Sequence, residues 1–265
     1  MPVAKVNGMN INYEEHGSGA PVFLIGGLGS TIQSWGDQIP VYSKHFRVIV
    51  FDNRGSGLSD KPRKPYSTED MADDAVALAD FLKIEKASFV GKSMGGMIAQ
   101  WIGIKYPEKV ERLVMGCSSA RRDEVGNLIL STGREISEKA GMGPVWLTAL
   151  FLGYGRKYIE DNLEEIKRRL SAVRTSPEDI AGYHGQCGAC EGHDTAGLLH
   201  TIKAPTLVMF GTEDNVTDPQ RAAEVGELIP GSSVRAFEGA GHGFWREKRE
   251  EADALVFDFL KGNAV

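Results

Sequence analysis

The segment of this chain best suited to covalent chemistry is Gly91-Lys92-Ser93-Met94-Gly95. It follows an apolar stretch, residues 87–90, and opens one with helical spacing, which places Ser93 on a tight strand-to-helix turn. Such a turn forces strained backbone angles on the serine, and the flanking glycines remove the Cβ atoms that would clash there. A serine hydroxyl is a weak nucleophile at neutral pH. It needs a general base, itself held in the right tautomer by a carboxylate. Both occur downstream: Leu207-Val208-Met209-Phe210 leads into Gly211-Thr212-Glu213-Asp214, and Gly239-Ala240-Gly241-His242-Gly243 follows the last candidate strand. The chain order Ser93, Asp214, His242 and the residue types point to nucleophilic acyl transfer.

Neighbouring residues compete weakly for these roles. Asp218 stands immediately before Pro219, an arrangement that starts a helix, and Glu213 is one position out of phase with Asp214. His16 and His45 fall in early loops, and His184, His193 and His200 fall in or near an inserted segment, where solvation or ordinary hydrogen bonding accounts for them. The developing oxyanion of an acyl transfer needs two N–H donors. One is expected from Met94, after the nucleophile, and one from the loop after the strand at residues 21–25.

Nucleotide chemistry is disfavoured by pattern. Gly91-Lys92-Ser93 is also the tail of a phosphate-binding loop, but the glycine required five positions before Gly91 is replaced by Lys86. Gly26-Gly27-Leu28-Gly29 and Gly55-Ser56-Gly57 do not complete a dinucleotide-binding fingerprint. No cofactor is implied.

The elements that must position these residues follow from periodicity. Strands are expected at residues 10–14, 21–25, 46–51, 87–90, 112–115, 206–210 and 233–237, several as continuous apolar runs of the kind buried on both faces of a parallel sheet. Between them, Ser67 with Asp70 three residues on forms a capping box, and Met71, Ala75, Leu78 and Leu82 recur at helical spacing. A second helix carries Met97, Trp101 and Ile104 along one stripe until Pro107 stops it; that stripe reads as core packing. Helices are also expected over residues 219–229 and 246–260, the latter with Ala252, Leu255, Val256, Phe259 and Leu260 on one face.

Between residues 118 and 200 the alternation of strand and helix stops and the pattern is helical. An insertion of this size between two strands of a parallel sheet is most simply a cap over the carboxyl edge, where such folds bind ligands. The expected division is therefore a core of residues 1–117 and 201–265 and a helical cap of residues 118–200. Within the cap, His184-x-x-Cys187-x-x-Cys190-x-x-His193 has metal-ligand spacing. On a helix, steps of three turn each side chain by roughly 60° from the last, so the first and fourth diverge, and cap packing is the reading preferred over a zinc or redox site.

Composition bounds the rest. The 265 residues carry 30 Lys+Arg against 36 Asp+Glu, a net charge of -6 that lacks the basic footprint of nucleic-acid binding. No apolar stretch approaches the roughly 20 residues of a membrane span, and no apolar region follows the early Lys5 as in a secretory signal. Three cysteines, an odd number, argue for a reducing compartment, and a cytoplasmic location is the expectation. Nothing in the sequence specifies an oligomeric state.

Five segments together resemble the α/β-hydrolase family that includes small bacterial carboxylesterases, 3-oxoadipate enol-lactonases and cofactor-free haloperoxidases. They are Leu24-Ile25-Gly26-Gly27-Leu28-Gly29, the run from Phe51 to Ser59 containing Asp52-Asn53-Arg54-Gly55, residues 91–96, residues 204–214 and residues 239–243. The resemblance implies a mostly parallel sheet of about eight strands with helices on both faces, an inserted cap, and the triad Ser93, Asp214 and His242. Where the family has His-Gly this chain has Gly26-Gly27, and by position the second oxyanion donor is the N–H of Leu28. Relatives with dehalogenase or epoxide hydrolase chemistry carry an aspartate at the nucleophile position, so Ser93 directs the reading to a small carboxylic ester or lactone. Carbon-carbon hydrolysis and perhydrolysis on the same triad, and a non-enzymatic small-ligand receptor, are the alternatives. Substrate contacts are expected from Gly27, Trp35, Trp146, Tyr154 and Phe244, with Phe151, Tyr158 and Tyr183 as further aromatic supply. Arg54 belongs to a shared turn motif and reads as structural, and Lys92 as a side chain reaching to solvent.

Overall fold

The computed structural model describes residues 2–173 and 175–265. Eight strands, Val3–Val6 (β1), Met9–His16 (β2), Ala20–Ile25 (β3), Phe46–Phe51 (β4), Ala87–Lys92 (β5), Val110–Gly116 (β6), Thr206–Gly211 (β7) and Ser233–Phe237 (β8), form one sheet in the order β1-β2-β4-β3-β5-β6-β7-β8. The pairings of β2 with β1 and β4 are antiparallel, and the remaining five are parallel.

Successive side chains of a strand point to opposite faces, and the central strands divide accordingly into two cores. Phe23, Ile25, Ile49, Phe51, Phe89 and Leu113 face one, and Val22, Leu24, Val48, Val50, Val90 and Val114 face the other. The first is covered by Thr68–Phe81 (α2) and Met94–Lys105 (α3), reached after Ile39–Tyr42 (α1), which covers the second. The Ser67 and Asp70 capping box is present at α2; of the expected α3 stripe Met97 is buried, and Trp101 and Ile104 are partly buried against the same core.

Among the described residues five α-helices separate β6 from β7: Glu124–Ala140 (α4), Met142–Gly153 (α5), Arg156–Asp161 (α6), Leu163–Ser171 (α7) and Pro177–Glu191 (α8). The chain then returns through β7, Pro219–Leu228 (α9) and β8 to Phe244–Glu247 (α10) and Arg249–Leu260 (α11). Two expectations are revised. The terminal helix is two helices, separated at Lys248, whose φ of -121° is not helical. A first strand, β1, too short to show a period, caps the antiparallel edge. Among the described residues no helix is long and apolar enough to cross a membrane.

Candidate active site

Ser93 sits at the crossing from β5 into α3 with φ 55° and ψ -118°. This left-handed backbone is costly for a residue with a side chain, and it persists only where surrounding contacts impose it. Here the Ser93 N–H donates to Gly116 O at 2.7 Å, and its carbonyl accepts from Gly96 at 2.8 Å and Met97 at 3.2 Å. The glycines are required by space: a Cβ on Gly91 would stand 2.1 Å from Gly95 O, and one on Gly95 2.2 Å from Ile25 O.

Asp214 follows β7. Its Oδ1 accepts from the N–H groups of Val216 (2.8 Å) and Thr217 (2.9 Å), which aims Oδ2 at His242 Nδ1, 2.7 Å away. An ionised carboxylate only accepts, so Nδ1 carries the ring proton and Nε2 is left with its lone pair. Burial acts to lower the His242 pKa, but the Asp214 carboxylate, with Cys117 beside the ring, outweighs it and holds the value well above the ordinary 6.5. The loops are pinned to each other: Thr212 Oγ1 accepts from Gly239 N–H at 2.9 Å, and Glu213 N–H donates to Ala240 O at 2.9 Å. Glu213 itself is exposed, and Asp218 caps α9 by accepting from Gln220 N–H at 2.7 Å.

Ser93 and His242 line one cavity of about 1230 Å³ between the carboxyl edge of the sheet and residues of helices α4 to α8. Leu28 lies on its wall, and Met94 is the first residue of α3, where a helix N–H has no internal acceptor. The loop bearing Leu28 is tied on three sides. Asp52 accepts from Ile32 N–H (2.8 Å) and Leu58 N–H (2.9 Å), Asn53 Nδ2 donates to Gly26 O (3.0 Å), and Gln186 of α8 accepts from Gly29 N–H (2.6 Å).

Of the aromatic residues expected at the site, Trp146 and Tyr154 line the cavity, together with Gly27, Tyr158 and Tyr183. Trp35 and Phe244 do not. Both are fully buried on the far side of the site loops, Trp35 edge-on to Trp245 and Phe244 stacked between Phe237 and Trp245, where they complete the second core. Phe151 is 63% exposed on the outer face of α5.

Lys92 reverses its expectation. Its ammonium turns inward, 3.7 Å above the Trp35 ring and 4.7 Å from that of Trp245, and donates to Gln38 Oε1 at 3.2 Å. Desolvation, then the nearby Arg246, pull its pKa down to about 7. Alternation along β5 requires this direction, because Val90 and Lys92 share a face. Arg54 is structural, forked onto Asp74 at 2.6 and 2.7 Å.

The cysteine and histidine segment spreads its groups apart. Cys187 and Cys190 are buried in α8, where burial pushes both thiols up to about 12. His184 meets Ser137 Oγ at 2.8 Å, whereas His193, beyond the helix, meets Thr68 Oγ1 at 2.8 Å. Among the described residues no cluster of His, Cys, Asp and Glu could hold a metal ion.

Two site residues escaped the sequence reading. Cys117, with φ 45°, follows β6, lines the cavity and abuts His242. Glu247 accepts from Gly241 N–H (2.9 Å) and from Gly155 N–H (3.1 Å), joining the histidine loop to the cap.

The model of the family described as "alpha/beta hydrolase fold" matches residues 20–245. The chain is 28% identical over 232 residues to 3-oxoadipate enol-lactonase 2 of Acinetobacter baylyi, covering 87% of this chain and 85% of that one. It is 28% identical to the 2-hydroxymuconate semialdehyde hydrolase of Pseudomonas sp. strain CF600, covering 96% and 91%. Among solved structures, the enol-lactonase from Burkholderia xenovorans LB400 superposes with a TM-score of 0.91 at 29% identity, covering 98% of this chain and all of that one.

Proposed function

The chain belongs to the α/β-hydrolase fold family, and from that premise we propose that it hydrolyses a small carboxylic ester or lactone through an acyl-enzyme on Ser93. One observation carries the reading: a serine held at φ 55° and a histidine bonded at 2.7 Å to a buried carboxylate open onto the same cavity.

In this mechanism Ser93 Oγ attacks the carbonyl carbon as His242 Nε2 takes its proton. Asp214 holds the resulting imidazolium and keeps Nδ1 protonated. The N–H groups of Leu28 and Met94 receive the oxyanion. The imidazolium then protonates the leaving alkoxide, and a water activated by the same histidine releases the acid. In a lactone the leaving alkoxide stays attached to the acyl chain, so the product is one hydroxy acid. Gly27, Trp146 and Tyr154 line the binding space. The similarity to 2-hydroxymuconate semialdehyde hydrolase favours, as a second reading, carbon-carbon hydrolysis on the same three residues.

The test is hydrolysis of p-nitrophenyl acetate and butyrate by the wild type and Ser93→Ala, with a lactone panel alongside. Turnover that drops by at least about 10³-fold in the variant is the expected result. Undiminished turnover in Ser93→Ala refutes the nucleophile. A wild type silent on every ester and lactone, yet labelled at Ser93 by a fluorophosphonate, transfers the weight to carbon-carbon hydrolysis or a ligand receptor.

A further inference from the structure

A general base must be held close to its productive geometry, yet the loop that carries His242 is built from the residues with most backbone freedom, Gly239, Gly241 and Gly243. Asp214 fixes the ring, and Thr212 and Glu213 fix the start of the loop at Gly239 and Ala240. The two peptide N–H groups that flank the histidine are held from elsewhere. Gly241 N–H donates to Glu247 Oε1 at 2.9 Å, and Gly243 N–H donates to Gly153 O, at the end of α5, at 2.7 Å. The second Glu247 oxygen accepts from Gly155 N–H at 3.1 Å, so one carboxylate spans the histidine loop and the turn between α5 and α6. The two segments approach too closely for side chains. A Cβ on Gly241 would stand 2.6 Å from Gly153 O, and one on Gly243 2.1 Å from the Tyr154 ring.

A carboxylate suits this place better than any neutral side chain. Its bonds to N–H groups are charge-assisted, about twice as strong as neutral ones. Both of its oxygens accept, whereas an amide would offer one oxygen and turn its NH2 toward the other donor. Tyr154, between the two residues of the turn that are bonded across, lies on the cavity wall. We propose that Glu247 is a positioning residue for the base: by joining the peptide before His242 to the α5–α6 turn, it makes the alignment of the imidazole depend on the wall that carries Tyr154. This rests on the hydrolytic reading for its kinetics, though not for the imidazole titration.

Hydrolysis of p-nitrophenyl butyrate and NMR titration of the His242 ring decide it. In Glu247→Gln, kcat is expected to fall by about 10- to 100-fold with KM nearly unchanged, the pattern of a base displaced without loss of binding. The ring, held high by Asp214 and Cys117, should titrate closer to 6.5 in the variant as its contact with Asp214 loosens. Gly155→Pro breaks the same tie from the other side and keeps the carboxylate charge. The φ of -64° at Gly155 is that of a proline, and Tyr154 before it is extended, so the substitution removes the N–H with little other change. Its kcat and ring titration should move in the same directions, and the double variant should lose less in kcat than the two single losses multiplied. A ring that titrates alike in wild type and Glu247→Gln, or single losses that multiply fully, would make the bridge irrelevant to the base and overturn the proposal. If Glu247→Gln does not fold, Gly155→Pro carries the same comparison. If the wild type cleaves no ester or lactone, a ring titration shifted toward 6.5 in the variants still supports the tie, and a common titration overturns it.

Discussion

Replacing His193 with glutamine should remove an acid sensitivity from this fold. His193 is 3% exposed, at the return from the cap to the core. Its Nδ1 lies 2.8 Å from Thr68 Oγ1 and its Nε2 3.2 Å from Gln100 Oε1, an acceptor already taken at 2.5 Å by Thr195 Oγ1. The amide oxygen can only accept, so Nε2 carries the proton and Nδ1 accepts from the threonine. The neutral ring is thereby satisfied. Desolvation, against the opposing pull of Asp194 and the Ser119 carbonyl, lowers its pKa from 6.5 to about 4.

A base whose folded pKa lies below its unfolded value binds fewer protons when folded. Its contribution is therefore intact above about pH 7 and is lost as the pH falls through 6.5 toward 4. The two values correspond to a loss of about 3 kcal/mol by pH 4 at 1.36 kcal/mol per pH unit. Urea unfolding of the wild type and His193→Gln at pH 7, 6, 5 and 4 measures it. At pH 7 the variant is expected to be the less stable, because its partners are imperfectly met. That deficit should shrink by about 3 kcal/mol, or change sign, by pH 4. Parallel stability curves across this range would refute the reasoning.

Two further expectations concern the reacting groups. Because the proposed mechanism needs His242 neutral as the base and its pKa stands well above 6.5, kcat/KM should rise with pH through a value above the ordinary histidine range, and Cys117→Ala should move that limb toward acid. A wild-type limb at or below 6.5 in a pH-rate profile would contradict the ring environment described. Gly95→Ala places a methyl group 2.2 Å from the Ile25 carbonyl, which the sheet holds in place. A loss of about 3 kcal/mol or more and a fall in melting temperature of roughly 6–12 °C are expected, and an unchanged thermal transition would refute the packing argument.

The parts of this architecture that sequence periodicity discloses are those whose contacts are local. The Ser67 and Asp70 capping box lies within one turn, and the apolar runs of β3 to β7 are buried on both sides and therefore continuous in sequence. The candidate residues Ser93, Asp214 and His242 stand out in the sequence for a related reason: each follows a strand that the pattern marks. Trp35 and Phe244 were misplaced because nearness in sequence to a site loop does not fix side-chain direction. Those rings close the second core, whose far wall comes from α11. Lys92 misled because a lysine suggests solvent, whereas the phase of β5 turns it under two indoles. Glu247 left no signal, since what distinguishes it, the joining of two loops, arises only when distant segments meet.

The two crossings between cap and sheet run side by side. Arg121 bridges to Asp194, and Thr195 N–H donates to Ala120 O at 2.8 Å. The inserted helices thus leave and re-enter at one point, and β6 and β7 pair in parallel from Leu113 opposite Thr206 to Gly116 opposite Met209. Closure entropy grows only slowly with the length of an excursion, so at this doorway the sheet is nearly indifferent to what is attached. A helical segment exchanged there would leave the sheet pairing intact but would have to replace the ties that Gln186 makes to Gly29 and that Gly153 and Gly155 make to the histidine loop and Glu247.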